Sequence, residues 1–160
     1  MRSLADLTTL HVGGTPRALT IATDESQIIA VVQSASSDVL ILGGGSNLVV
    51  SDNFNGEVIK IESTGFENDE SACAGAWVTV AAGHNWDDFV SHAVANGWTG
   101  IEALSGIPGT VGATPIQNVG AYGQQVSETI AQVRAWNRKT NSIDTLFAAD
   151  CAFGYRTSIF

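Results

Sequence analysis

Apolar positions in the first third of the chain come in short runs divided by polar turns. Residues 17–22 alternate weakly and predict a short strand. Thr23 follows as the expected helix N-cap, with Asp24 and Glu25 in the first turn. Ile28, Ile29, Val31, Val32 and Ala35 then recur at helical spacing and predict a helix ending near Ser36 and Ser37. Val39 to Leu42 is wholly apolar, the mark of a buried strand, and runs straight into Gly43-Gly44-Gly45-Ser46-Asn47. A second apolar run covers 48–50. A further strand is predicted over 58–61, after the turn residues 52–56. This part reads as a small α/β unit.

The pattern changes at Ser63. Residues 63–76 are polar and predict a loop with a short strand near Cys73, followed by a better strand over 77–82. Asn85 is placed to cap a helix from Trp86 to about Asn96, with Trp86, Phe89, Val90, Ala93 and Val94 on one side and Gly97 as terminator. Residues 98–125 mix Gly, Pro, Asn and Gln with Ile101, Leu104, Ile107, Val111, Ile116 and Val119. That mixture predicts an ordered, partly buried loop with one or two helical turns. Residues 129–137 and 142–147 form a hairpin pattern around 138–141, and 148–151 begins a short helix. Taken together, the chain is α+β in two subdomains, 1–62 small and α/β, 63–160 mainly antiparallel.

Composition narrows the partners. The 160 residues are 44% hydrophobic, enough for a real core. Seven Lys plus Arg face sixteen Asp plus Glu, a net charge of -9 that opposes nucleic acid and anionic membranes. An anionic ligand is still accommodated if its site is small and built from backbone amides. Cys73 and Cys151 have no metal-ligand spacing and read as two free thiols. His11, His84 and His92 have no ligand spacing either, so no metal is expected. No run reaches the length of a membrane span, and a cytoplasmic monomer is the default expectation. The apolar ending at Ile159 and Phe160 suggests a truncated chain.

Three segments could carry chemistry. Gly43 to Asn47 follows a strand, and its successive amides suit either an anion such as a pyrophosphate or a structural turn; it is neither GxGxxG nor a P-loop. Residues 107–123, with Pro108 and Pro115 fixing the backbone and Gln117 and Asn118 offering amides, read as a wall for a flat heteroaromatic cofactor or as a rigid surface loop. Arg156, after Phe153-Gly154-Tyr155, lies among apolar residues. A guanidinium buried there needs an anionic partner, with Tyr155 packing beside it or orienting it. Trp77, Trp86, Trp98 and Trp136 read as core or partly buried aromatics. Asp87 and Asp88 read as first-turn helix acids. His92 is expected to face solvent or pair locally, and His84 sits at a loop mouth.

The run from Thr9-Leu10-His11-Val12-Gly13-Gly14 through strand-GGGSN and IPGTVGATPIQNVGAYG to FGYRTSIF resembles the UDP-N-acetylenolpyruvoylglucosamine reductase, or MurB, family. The resemblance implies a two-part FAD-binding domain of the vanillyl-alcohol oxidase (PCMH) type, with a separate substrate domain after it. By resemblance, Gly43, Gly44, Gly45, Ser46 and Asn47 hold the FAD pyrophosphate. Gly109, Thr110, Val111, Gly112, Gln117, Asn118, Gly120, Ala121 and Tyr122 surround the flavin and its phosphates, and Arg156 matches the catalytic arginine. The implied reaction uses NADPH to reduce UDP-N-acetylglucosamine enolpyruvate to UDP-N-acetylmuramate. Its implied proton donor and assisting glutamate fall beyond Phe160. Leu10 departs from the aromatic residue that relatives commonly carry before the VGG-like segment. The competing readings are another flavin oxidoreductase, a flavin-holding module without turnover, and a structural domain whose glycines only make turns.

Overall fold

The computed structural model describes residues 2–35, 38–71 and 75–160. It divides into two compact units, Met1–Ser63 and Thr64–Phe160, each with its own core. In the first, β1 (Ala18–Ala22), β2 (Val39–Leu42) and β3 (Glu57–Ile61) make a parallel sheet in the order β1-β3-β2, with α1 (Glu25–Ser34) linking β1 to β2. Ala18 and Val39 both stand level with Glu57, so β3 pairs on both edges. Alternation along β3 serves both faces. Val58 packs with Leu4, Leu7, Leu42 and Val50. Ile59 and Ile61 pack with Ala22 and the half-buried Ile28, Val31 and Val32 of α1.

The helix cap differs from expectation by one residue. Asp24, not Thr23, caps α1, its carboxylate accepting from the Gln27 amide at 2.9 Å. Thr23 is drawn off because its own amide and hydroxyl donate to the Gln27 side chain at 3.1 and 3.2 Å. The Ser26 hydroxyl, and then the Gln27 amide, hold the Asp24 carboxyl below its ordinary value. The predicted end of this helix at Ser36 and Ser37 lies outside the described residues, as does the predicted strand near Cys73 and Cys73 itself.

The second unit holds β4 (Phe66–Ser71), β5 (Gly75–Val80), α2 (Trp86–Ala95), β6 (Gly120–Ala121), β7 (Gln124–Gln125), β8 (Gln132–Asn137) and β9 (Ser142–Phe147). The strands pair antiparallel as β4-β5, β6-β7 and β8-β9. Asn85 caps α2 by accepting from the Asp88 amide at 3.0 Å, worth about 1 kcal/mol. Gly97, at φ +72, ends the helix, its amide donating to the Val94 carbonyl. Trp86, Val90 and Ala93 enter a core with Ile101, Leu104, Val119 and Val126. The Trp86 indole donates to the Leu104 carbonyl at 3.0 Å, which fixes the following loop on the helix.

Four expectations are corrected. Residues 66–71 form β4 rather than loop: the strand's hydrogen bonds come from β5, and its Glu, Asn, Asp and Ser side chains stay exposed, so no apolar alternation is needed. Trp77 is exposed; among the described residues β5 belongs to a two-stranded sheet with β4, and this face of it is open. Val94 points away from the α2 core and is exposed. Ile41 of the apolar strand β2 is also exposed, so that strand is not buried throughout. Among the described residues no helix is long and apolar enough to cross a membrane.

Candidate functional site

Gly43 to Asn47 leave the C-terminal end of β2, where ligands of open parallel sheets commonly bind. Gly45 is locked in place. It is buried at φ +68, and a Cβ there would lie 2.0 Å from the Leu7 carbonyl oxygen. Its own carbonyl accepts from the Thr9 amide at 3.1 Å. Gly44 and Asn47 are exposed, and Gly43 and Ser46 are half-buried. Among the described residues, the amides of Gly44 and Gly45 donate no backbone–backbone hydrogen bond. A glycine-rich turn anchored through a carbonyl, with Gly44 at the surface, fits a phosphate group.

In the second unit, residues 109–112 are stitched to the approach of α2. The Gly109 carbonyl accepts from the Trp86 amide at 3.1 Å, Val111 N donates to the His84 carbonyl at 2.9 Å, and Gly112 N to the Ala82 carbonyl at 2.8 Å. Thr110 bridges to Asn85. Only glycine fits at 112, where a Cβ would come within 2.6 Å of the Ala82 Cβ. Val111 to Ala113 make a single 3-10 turn, and Gln117 is half-buried beyond it.

The next segment lines a cleft of about 240 Å³ with Asn118, Gly120, Ala121, Tyr122, Gln124, Gln125, Tyr155 and Arg156. A two-residue turn at Tyr122 and Gly123, φ +50 and +87, joins β6 to β7 and leaves Tyr122 93% exposed. Glu102 supports this hairpin from below. Its carboxylate accepts from the Gln124 side chain and the Gly100 amide, both at 2.8 Å, and Gln124 accepts from the Ala103 amide at 2.7 Å. The Gln124 side chain first, with backbone amides, holds the Glu102 carboxyl below its ordinary value.

Arg156 corrects the expectation of a buried guanidinium: the side chain is exposed. The cause is the tight turn in which Gly154 and Thr157 pair across Tyr155 and Arg156, with Arg156 at φ +54. Its Nη2 donates to the Gly120 carbonyl at 2.8 Å, and its Cζ lies 5.8 Å from the Tyr155 ring centre. The guanidinium is thereby held at the cleft with donors to spare for an anion.

Asn118 is 3% exposed, and its amide is spent on protein partners. Gln124 and Gln125 line the cleft but were not singled out in the sequence; the only signal available was their place after a positive-φ glycine. His84 accepts from the Gly65 amide at 3.2 Å, and His92 packs tilted against the Phe66 ring and pairs with Asn96, as the local reading of His92 expected. Asp87 does more than favour a helix start: it accepts from Ser105 Oγ at 3.0 Å and the Gly106 amide at 2.6 Å. Cys151 is a buried free thiol, and burial raises its pKa. Leu10 is exposed.

Residues 16–144 match the model of a family described as an FAD binding domain. The chain is similar to the UDP-N-acetylenolpyruvoylglucosamine reductase of Cutibacterium acnes, 53% identical over 98% of this chain and 43% of that protein. The enzyme of the same name from Thermobifida fusca is 47% identical over 98% of this chain and 45% of its own length. Among solved structures, the UDP-N-acetylenolpyruvylglucosamine reductase (MurB) from Thermus caldophilus superposes with a TM-score of 0.78 at 25% identity, covering 99% of this chain and 56% of that one. The chain thus spans less than half the length of the curated relatives it matches.

Proposed function

The chain belongs to the FAD binding domain family, and from that premise we propose that it is the FAD-binding part of an NADPH-dependent reductase that converts UDP-N-acetylglucosamine enolpyruvate to UDP-N-acetylmuramate. The observation that carries the reading is similarity to reductases of that name along 98% of the chain. The loop geometry suits the same role. In this reading 1–62 and 63–160 are the two subdomains of a vanillyl-alcohol oxidase type FAD domain, acting in a cytoplasmic monomer.

The loop of Gly43, Gly44, Gly45, Ser46 and Asn47 holds the FAD pyrophosphate, since a glycine-rich turn at the C-terminal end of a parallel strand brings successive backbone amides close to an anion. Gly109, Thr110, Val111 and Gly112 offer a backbone wall without bulk, and Gln117, Gly120, Ala121 and Tyr122 continue it, Asn118 joining through its backbone. When bound, FAD supplies the passage of hydride from NADPH to the enolpyruvyl methylene carbon. Arg156 faces the negative charge that then develops next to the substrate carboxylate. A fixed guanidinium stabilises that charge more in the transition state than in the ground state, which is the interaction that raises kcat.

Titration of the chain with FAD, read by flavin fluorescence and thermal unfolding, tests the first step. Saturable binding with a rise in Tm is expected, since a ligand of the folded state stabilises it. Absence of uptake at high FAD, with the chain folded, overturns the proposal. NADPH-dependent turnover of the sugar nucleotide by the chain alone is expected to be negligible.

A further inference from the structure

We infer that Asn118 is a positioning residue for Arg156, acting through the Gly154–Thr157 turn and not through a side-chain contact to the cofactor. The inference rests on Arg156 as the catalytic arginine in the function proposed above. Its first support is an inventory of one amide group. Nδ2 has two hydrogens, and both are used: one to Gln125 Oε1 at 2.7 Å, the other to the Gly154 carbonyl at 3.0 Å. Oδ1 accepts from the Ser127 amide at 3.2 Å. Turning the amide over would set oxygen against two acceptors and nitrogen against a donor, so the partners themselves fix its orientation. With the group 3% exposed and both N–H bonds spent, the side chain has no donor left for a ligand.

The second support is the state of the turn. Arg156 sits at φ +54, a conformation unfavourable for an arginine and kept only where surrounding contacts over-determine it. Those contacts come from both flanks. Ser158 Oγ donates to the Ile116 carbonyl at 2.8 Å, and the Ile159 amide to the Cys151 carbonyl at 3.0 Å, which anchor the outgoing segment. On the incoming side the side-chain hold is Asn118, on the carbonyl of Gly154. Two residues along the same loop, the Gly120 carbonyl takes the Arg156 guanidinium at 2.8 Å. One short loop therefore grips both the base and the tip of Arg156. Asn118 itself stands at φ +45, where asparagine is tolerated and most side chains are not, so backbone and side chain select the same residue.

The test separates positioning from cofactor binding and from simple loss of fold. N118G removes the amide but keeps the backbone conformation; N118D keeps the shape, and the acceptor for Ser127, while turning two attractions into repulsions. Hydrogen exchange of the wild-type chain should show protected Ser127 and Gly154 amides. In N118G both should exchange at least tenfold faster, while amides of α2 and the β8-β9 hairpin stay unchanged. Unprotected amides in the wild type, or unchanged exchange at Gly154 in N118G, overturn the brace. In the complete reductase, N118G should lower kcat 10- to 100-fold and leave the FAD Kd and the KM for NADPH within twofold. Adding R156A to N118G should then cost no more than R156A alone, within twofold. A tenfold rise in the FAD Kd at unchanged kcat, or fully multiplicative losses in the double variant, refutes the inference. A wild-type enzyme that binds FAD but leaves the enolpyruvyl sugar nucleotide unreduced fails the reductase reading instead, and the exchange result still decides the brace.

Discussion

The two Gly-rich segments solve the problem of a shaped loop in opposite ways. Gly43 to Asn47 is held by backbone, through one buried glycine wedged against Leu7 and one carbonyl bonded to Thr9. Residues 118–125 add side-chain bonds to the β6-β7 pairing: Asn118 bonds Gln125, and Gln124 bonds Glu102 and the Ala103 amide. A backbone-held loop concentrates its sensitivity at the wedge. A side-chain-held loop spreads the same burden over several residues, each of modest effect. Backbone suits a diffuse charge such as a pyrophosphate, and a side-chain lattice suits a group that must sit at one place, as Arg156 does.

Substitution at the wedge is the harshest break. Gly45→Ala sets a methyl 2.0 Å from a carbonyl oxygen and a side chain at φ +68, so about 3 kcal/mol or more of stability should go. Urea unfolding of the variant reads it; a loss under 1 kcal/mol would mean that the loop yields easily and the contrast is false.

A milder change sharpens the other side. Tyr122 occupies the first position of a turn whose φ values favour Asn-Gly. Tyr122→Asn should raise stability by about 1 kcal/mol and weaken FAD binding or turnover, the pattern of a residue kept for function. Higher stability with undiminished binding and turnover would show the ring to be dispensable.

The smallest effect is in the acid range. The folded-state pKa of Glu102 lies below its ordinary 4.5, so its carboxylate adds stability that is fully present above pH about 4.5 and disappears as pH falls through the lower folded value. Glu102→Gln should flatten that part of the stability profile, lowering stability slightly at pH 7 and matching the wild type once pH is below the folded value. Equal acid profiles for the two proteins would remove Glu102 from the lattice.

Much of this was readable in advance where one local signal decides. Asn85, the Trp86-Val90-Ala93 spacing and Gly97 located α2 within a residue of its ends, and the apolar run before three glycines located β2. The hidden parts depended on pairing. Phe66–Ser71 carries no strand pattern because only a partner's hydrogen bonds make it one. The cap moved from Thr23 to Asp24 because Gln27 competes for the threonine. Asn118 announced an amide near a ligand wall, but which way the amide turned was decided by Gly154, 36 residues away. Arg156 was expected among apolar partners; the turn that exposes it depends on contacts equally remote in sequence.

The order β1-β3-β2 has a kinetic consequence. Among the described residues β1 and β2 do not pair with each other; each pairs with β3, the last of the three to be synthesised. No partial sheet exists to be formed early, so a nascent chain cannot close this unit until residue 61 has left the ribosome. Until then the apolar strand that ends in the glycine loop is an unpaired edge, so folding of this unit waits on its last strand.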